Sequence, residues 1–292
     1  MSIIIMDICA ERPVLNCVTC IGGMMSNIIN RKKFVIVWNG IMSFDESFEL
    51  GKVTNPIGVT KEKPPIYREE MRQAKNYLWC CIFVGVFGWT IVNQWGMVAF
   101  NERYLQNMSY MIVYVVHFAA VSKFCGLIFL LGQRFAHLNQ RVRQQTKMKA
   151  HRNTKGLMKR IETSYNELMD VTYLLNDIYS LSLFLFHANL AYHIISNSYF
   201  ILAQLIYAIH DWYLAVFLIQ MFWMIMFCIQ LFAMHMSCEY TSNEEFESTA
   251  HFMNNELQLT AGGFYIAGLA SLLSTARITT TYLVILLQIP NT

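Results

Sequence analysis

The chemically distinctive residues of this chain stand where a membrane segment has least use for them. Near the end, Thr281-Tyr282 is followed by five aliphatic residues and then Gln288. A primary amide in hydrocarbon costs a few kcal/mol unless it is hydrogen-bonded. Gln288 therefore needs water, a partner, or a reach to the interface. Two other stretches carry polar and aromatic groups inside charge-poor runs. Residues 171–209 offer His187, Asn189, His193, Asn197 and Tyr199, and residues 77–100 offer Trp89, Asn93, Gln94 and Trp95. Aromatic walls with a few amides suit neutral polyols and alkaloids, and intramembrane polar groups are ligand-site candidates. Taken singly, each is more often a helix–helix hydrogen bond. No catalytic set accompanies them. The histidines lack a nucleophile or HExxH spacing, no glycine-rich phosphate loop is present, and Cys17-x-x-Cys20 has no second ligand pair for zinc. The expectation is a non-enzyme without cofactor or metal.

The elements that must hold these residues are membrane helices. The 292-residue chain is 55% hydrophobic and 14% charged, with a mean hydropathy of +0.35, against about 25% charge in soluble domains. Residues 77–100 and 212–236 contain no Asp, Glu, Lys or Arg. Residues 104–133 contain only Lys123, 171–209 only Asp177 and 257–289 only Arg277. Each run exceeds the roughly 20 residues that cross a bilayer as a helix, which predicts five spans. All prolines lie at Pro13, Pro56, Pro64, Pro65 and Pro290, so none interrupts residues 66–289. No ten-residue alternation suggests a barrel. The fold class is all-α, a polytopic helical membrane protein. Residues 13–30 are uncharged but diluted by Asn, Thr, Ser and Gly, a marginal insertion signal, and residues 51–75 read as a water-exposed connection.

Sidedness follows from the basic residues. The connection 133–168 carries nine Lys or Arg (from Arg134 to Arg160) and only Glu162 and Glu167 as acids, which places it in the cytoplasm. Alternation then puts residues 101–107 outside, where Asn107-Met-Ser109 forms a glycosylation pattern, and puts Thr292 outside as well. Within the cytoplasmic layer, Leu157, Ile161, Tyr165, Leu168, Thr172 and Leu175 recur at spacings of three and four, with Lys159, Arg160, Glu162, Asn166, Glu167 and Asp170 on other faces. That amphipathic stripe needs an apolar partner below the membrane. The alternative is a segment lying on anionic lipid.

At three places the sequence resembles the insect gustatory receptors, which share a superfamily with the insect odorant receptors. Thr281-Tyr282, five aliphatics and Gln288 resemble the family's terminal signature. Arg134-Phe135-Ala-His-Leu138-Asn139 is similar to an Arg-Phe…Leu-Asn segment after its fourth span, and Gly262 to Leu269 (GGFYIAGL) to a glycine-phenylalanine turn splitting its last helix. Ile289 replaces a usual phenylalanine, and Ala267-Gly268 stands where Leu-Asp is common. The resemblance implies a seven-helix fold with an external C-terminus. It also implies a tetramer held together by cytoplasmic helices, and a cation pore lined by the second half of the last helix. If the five spans are the third to seventh, the first and much of the second are missing, as in a truncated form.

On that resemblance, Gln288 becomes a ring of four amides around a wet path, with Ile285 one turn inward as a dewetting gate. Thr281 and Tyr282 begin the next turn, and Ile289 follows. Without acids in 278–289, cation discrimination would be poor. The expected function is a tastant-gated, non-selective cation channel in the plasma membrane of sensory neurons, as a homo- or hetero-tetramer with other gustatory receptors. The domain reading is 1–76, with a remnant span and connection, and 77–292 as the channel, with a cytoplasmic extension at about 133–170. The alternatives are a G-protein-coupled chemoreceptor, which needs a cytoplasmic C-terminus, and a non-conducting assembly partner.

Overall fold

The computed structural model describes residues 2–50, 76–77, 79–80, 83–100, 104–147, 154–206, 214–252, 259–261 and 265–288. The connections predicted at 51–75 and 207–211, part of the basic loop, Gly262–Phe264 and Ile289 lie outside them. The architecture is a bundle of helices: α1 (Ser2–Ile29), α2 (Arg31–Leu50), a π-helical turn (Phe83–Gly88) leading into α3 (Trp89–Phe100), α4 (Tyr104–Lys147), α5 (Thr154–Ile206), α6 (Leu214–Phe252) and α7 (Leu269–Gln288). A two-residue hairpin, β1 (Thr260–Ala261) and β2 (Tyr265–Ile266), pairs antiparallel immediately before α7. Within the apolar run 257–289, the described residues form a short hairpin followed by a 20-residue helix; the glycine-phenylalanine segment itself lies outside them.

Three helices are long and apolar enough to span a bilayer: Asn107–Arg143, Lys159–Leu205 and Leu214–Glu245. Leu15–Ile29 and Leu269–Ile285 are shorter apolar helices. The 53 residues of α5 correspond to about 80 Å at 1.5 Å per residue. A bilayer with its headgroups takes only about 40–45 Å, so α5 must emerge from it. Its predicted stripe is the buried face: Ile161, Tyr165, Leu168, Thr172 and Leu175 are inside, and Lys159, Arg160, Glu162, Asn166, Glu167 and Asp170 outside. The partners are α2, α4 and α6, and Tyr165 lies edge-on to Phe135. This is a packed helical layer, so the lipid-surface alternative does not hold.

The marginal hydropathy of residues 13–30 has a structural reason. In α1, Asn16, Thr19 and Gly23 are buried against the bundle, while Val18, Ile21, Met24, Met25, Ile28 and Ile29 face outward. Small and polar residues inside with aliphatics outside is the membrane arrangement, because lipid gives outward apolar side chains no penalty. Ser26 Oγ donates to the Ile178 carbonyl at 3.0 Å. Asn30 continues the backbone pattern into α2, its N–H donating to Ser26 and its carbonyl accepting from Phe34, both at 2.9 Å. α1 and α2 therefore form one nearly continuous rod against α5.

The 77–100 run, expected as a plain span, contains the π-helical turn instead. No proline causes it. Gly85 approaches Phe118 so closely that a Cβ would lie 2.5 Å from the ring, and a π-turn shifts the helix face by part of a turn. Gly132 makes a second close approach, where a Cβ would lie 2.7 Å from Tyr240 and 2.8 Å from Thr241 Oγ1. There Thr241 donates to the Ile128 carbonyl at 2.8 Å, locking α4 to α6.

Candidate functional site

At the end of the bundle remote from Arg134, four helices bring aromatic rings together. Trp89 of α3 is fully buried and stacks on Tyr114 of α4, with centroids 4.8 Å apart and planes at 12°. Phe227 of α6 tilts against Trp89 at 5.2 Å and stacks on His193 of α5 at 4.4 Å and 8°. The His193 ring is held by Asn16 of α1, with Nε2 and Oδ1 2.8 Å apart. Around this cluster several buried polar atoms have no protein hydrogen-bond partner: Trp89 Nε1, Asn189 Oδ1, both amide atoms of Asn197, and Gln220 Oε1. Buried polar atoms are paired in the great majority of native structures. Asn189 and Asn197 lie one turn to either side of His193 on α5, which puts their unpartnered atoms on the face that carries the ring cluster.

Not every expected pocket residue joins it. Asn93 is buried, but its amide donates back to the Trp89 carbonyl at 2.7 Å. Gln94 is half-buried, Trp95 faces outward with 60% of its surface exposed, and Tyr199 packs edge-on to Phe200. His187 belongs elsewhere, beside α7. Sequence reasoning missed Asn16, Tyr114, Gln220 and Phe227. Tyr114 and Phe227 look like ordinary apolar-face residues, and Asn16 stood in a segment read as weak.

The last helix is held at its start and bare along most of its length. Leu269 N–H donates to Glu239 Oε2 of α6 at 3.1 Å, so a carboxylate caps α7 where the helix dipole favours an anion. His187 of α5 and His235 of α6 face each other, Nδ1 to Nε2, at 3.2 Å. Each also reaches α7: His187 Nε2 lies 2.9 Å from Thr275 Oγ1, and His235 Nδ1 lies 3.1 Å from Ser271 Oγ. Ser271, Leu272, Thr275, Thr279 and Leu283 form the half-buried stripe, while Thr281, Tyr282, Ile285 and Gln288 are exposed. Arg277 is exposed too, and no described acid lies within ion-pair distance of it. Glu239, the acid of α6 nearest the start of α7 in the structure, serves the α7 N-terminus.

The Arg134-Phe135-Leu138-Asn139 segment is the knot of the opposite layer. Arg134 makes a two-pronged bond to Asp45 of α2, Nε to Oδ1 at 3.0 Å and Nη2 to Oδ2 at 2.7 Å. Phe135 and Leu138 are buried in the core. Asn139 Nδ2 donates to the Glu244 carbonyl at 2.7 Å, and Tyr165 Oη donates to Glu245 Oε1 at 2.6 Å. Among the described acids of residues 237–256, Glu239, Glu244 and Glu245 thus accept hydrogen bonds from neighbouring helices. Lys123, the one charge of the 104–133 run, places its Nζ 4.1 Å over the Phe34 ring of α2. Asn107 is 2% exposed in the first turns of α4, and its Nδ2 has no partner. A glycan there would require that turn to open.

Comparison with known proteins agrees with this architecture. No curated protein matches the sequence. Among solved structures, the fold is similar to that of the insect olfactory receptor OR5 from Machilis hrabei. The TM-score is 0.64 at 13% identity, covering 94% of this chain and 79% of that one. The same receptor in complex with eugenol gives a TM-score of 0.65 at 14% identity, covering 97% and 81%. The family described as 7tm Chemosensory receptor matches residues 12–257, most of the chain. The chain therefore belongs to the 7tm chemosensory receptor family and is a multi-pass helical membrane protein with the fold of an insect olfactory receptor.

Proposed function

We propose that this chain is a gustatory-type receptor subunit, a tastant-gated, non-selective cation channel whose pore is lined by α7 in a tetramer. The observation that carries the reading is the bareness of α7. Its Tyr282, Ile285 and Gln288 are exposed in a single subunit, while only the Ser271–Leu283 stripe packs. A glutamine amide has no favourable place facing lipid, while the threonine hydroxyls donate to carbonyls one turn back and keep acceptor lone pairs for water. Around a symmetry axis they would line a wet path, with Ile285 as an aliphatic constriction. Ile289, outside the described residues, would continue that lining.

The tastant site proposed is the aromatic cluster of Trp89, His193, Asn189 and Asn197, together with Tyr114, Phe227 and Gln220. The unpaired amides favour a neutral ligand carrying hydroxyl or carbonyl groups, and the stacked rings favour one with a flat apolar face. That a receptor of the same fold was solved with eugenol supports a small organic ligand. Localisation follows as the plasma membrane of sensory neurons, with Gln288 toward the extracellular side.

The test is whole-cell recording from cells expressing the chain alone or with a related receptor, under a tastant panel, for wild type and Gln288→Glu. The reading predicts evoked cation current whose reversal potential under mixed monovalent and divalent cations shifts in Gln288→Glu toward the divalent cation. Staining of a tag placed after Thr292 only in permeabilised cells, with surface delivery shown independently, would instead favour the G-protein-coupled alternative.

A further inference from the structure

Because α1 and α2 join at Asn30 without a break in the backbone pattern, one side of the rod can be followed across the junction. Met24, Ile28, Arg31, Val35 and Trp38 recur at spacings of four and three, and all five are exposed. On α1 such apolar side chains need no cover in a bilayer. The line changes character at Arg31, just past the end of the apolar helix Leu15–Ile29. There Arg31, Lys32 and Lys33 follow one another, all exposed.

A fourth cation arrives from another helix. Lys123 of α4 is exposed and holds its Nζ over the Phe34 ring of α2. Arg31 precedes Phe34 by three residues and so lies one turn away on the same side of α2. The fold thus brings Arg31 and Lys123 to one corner. Its depth is set twice over. The apolar helix of α1 ends beside it, and Lys123 stands about 28 Å along α4 from Tyr104, at 1.5 Å per residue. That length is close to the ~30 Å of hydrocarbon in a bilayer, so the corner sits where hydrocarbon gives way to headgroups. Lys33 is neutralised within the chain, by Asp177 of α5 at 2.5 Å. No described acid lies within ion-pair distance of Arg31, Lys32 or Lys123.

We infer that this corner holds one anionic phospholipid, its phosphate between Arg31 and Lys123 and an acyl chain along Ile28 and Met24. Charge selects the lipid. A zwitterionic headgroup brings a cation of its own to a place that already has three without an acid, whereas an anionic headgroup leaves them a net negative charge. Trp38, two turns beyond Arg31 on the same line, is of the type that collects at the membrane–water interface. A phosphate between Arg31 and Lys123 would tie the α1–α2 rod to α4 from outside the protein. The leaflet is the cytoplasmic one by the basic residues of this end, and the site does not depend on the channel reading.

The test is native mass spectrometry of the full chain in detergent, titrated with phosphatidylserine or phosphatidylcholine, which counts the lipids retained. Wild type is expected to hold one phosphatidylserine roughly twentyfold more tightly than phosphatidylcholine, from about fivefold for each of two cations. Arg31→Gln and Lys123→Met should each cut that preference about fivefold, and Lys123→Arg should keep it. Arg31 is exposed, so Arg31→Gln carries the test even where Lys123→Met does not fold. Arg277→Gln, which removes an exposed cation of α7, should leave the preference unchanged. Equal retention of the two lipids by wild type overturns the site. A preference that falls as far in Arg277→Gln as in Arg31→Gln overturns it too, as the mark of a general basic surface. Loss of phosphatidylserine in sodium phosphate, but not in sodium chloride of equal ionic strength, would assign the corner to a free anion instead.

Discussion

The two ends of this bundle handle polar groups in opposite ways. In the layer around Arg134, three polar side chains bond across helices: Arg134 with Asp45, Asn139 with Glu244, Tyr165 with Glu245. Around Trp89, several polar atoms are buried without a partner. A low-dielectric interior makes the first arrangement rigid and the second costly. The first therefore reads as structure, and the second as a place whose partners come from outside the chain.

The comparison breaks most visibly at Arg134. Arg134→Ala leaves the half-buried Asp45 carboxylate without its partner and is expected to cost about 3 kcal/mol. Thermal unfolding in detergent would show it, and the Arg134→Ala, Asp45→Ala double variant should recover part of the loss. No recovery would mean that the pair is not the source of the effect. Tyr165→Phe removes a hydrogen bond to a carboxylate, at about 1.5–3 kcal/mol in the same assay.

At the other end the expected stability effects are smaller and the functional ones larger. Asn197→Leu deletes two unpartnered polar atoms, so stability should stay within about 1 kcal/mol of wild type or rise. The tastant concentration for half-response should nevertheless change by roughly tenfold, equivalent to about 1.4 kcal/mol of binding. A large loss of stability with an unchanged response would assign Asn197 to structure after all. The smallest expected effect is at Trp95, 60% exposed and outside the cluster: Trp95→Leu should leave the dose–response curve in place, while Trp89→Leu displaces it.

Much of this was legible because lipid imposes simple rules. Charge-free runs required helices, and the stripe from Ile161 to Leu175 announced a partner below the membrane. The Arg134 and Gln288 motifs pointed to the family. The segment 13–30 was harder to read, because mean hydropathy does not record which face a residue occupies. Its Asn16 and Thr19 lower the average while pointing inward. The same limit hid the π-turn at Phe83–Gly88, which coincides with the close approach of Phe118 to Gly85, two residues remote in sequence.

By itself, the sequence determined that this protein is a bundle of membrane helices with an amphipathic helical extension and a last apolar helix that carries threonines and a glutamine, since those follow from local composition and period. Tertiary structure alone decided which polar residues meet. It separated His187 from His193, although both lie on α5, sending the first to α7 with His235 and the second to Asn16 and Phe227. The physical reason is that a side chain's partner is set by the neighbouring helix that faces it, and the order and depth at which helices pack are not written in the period of any one of them.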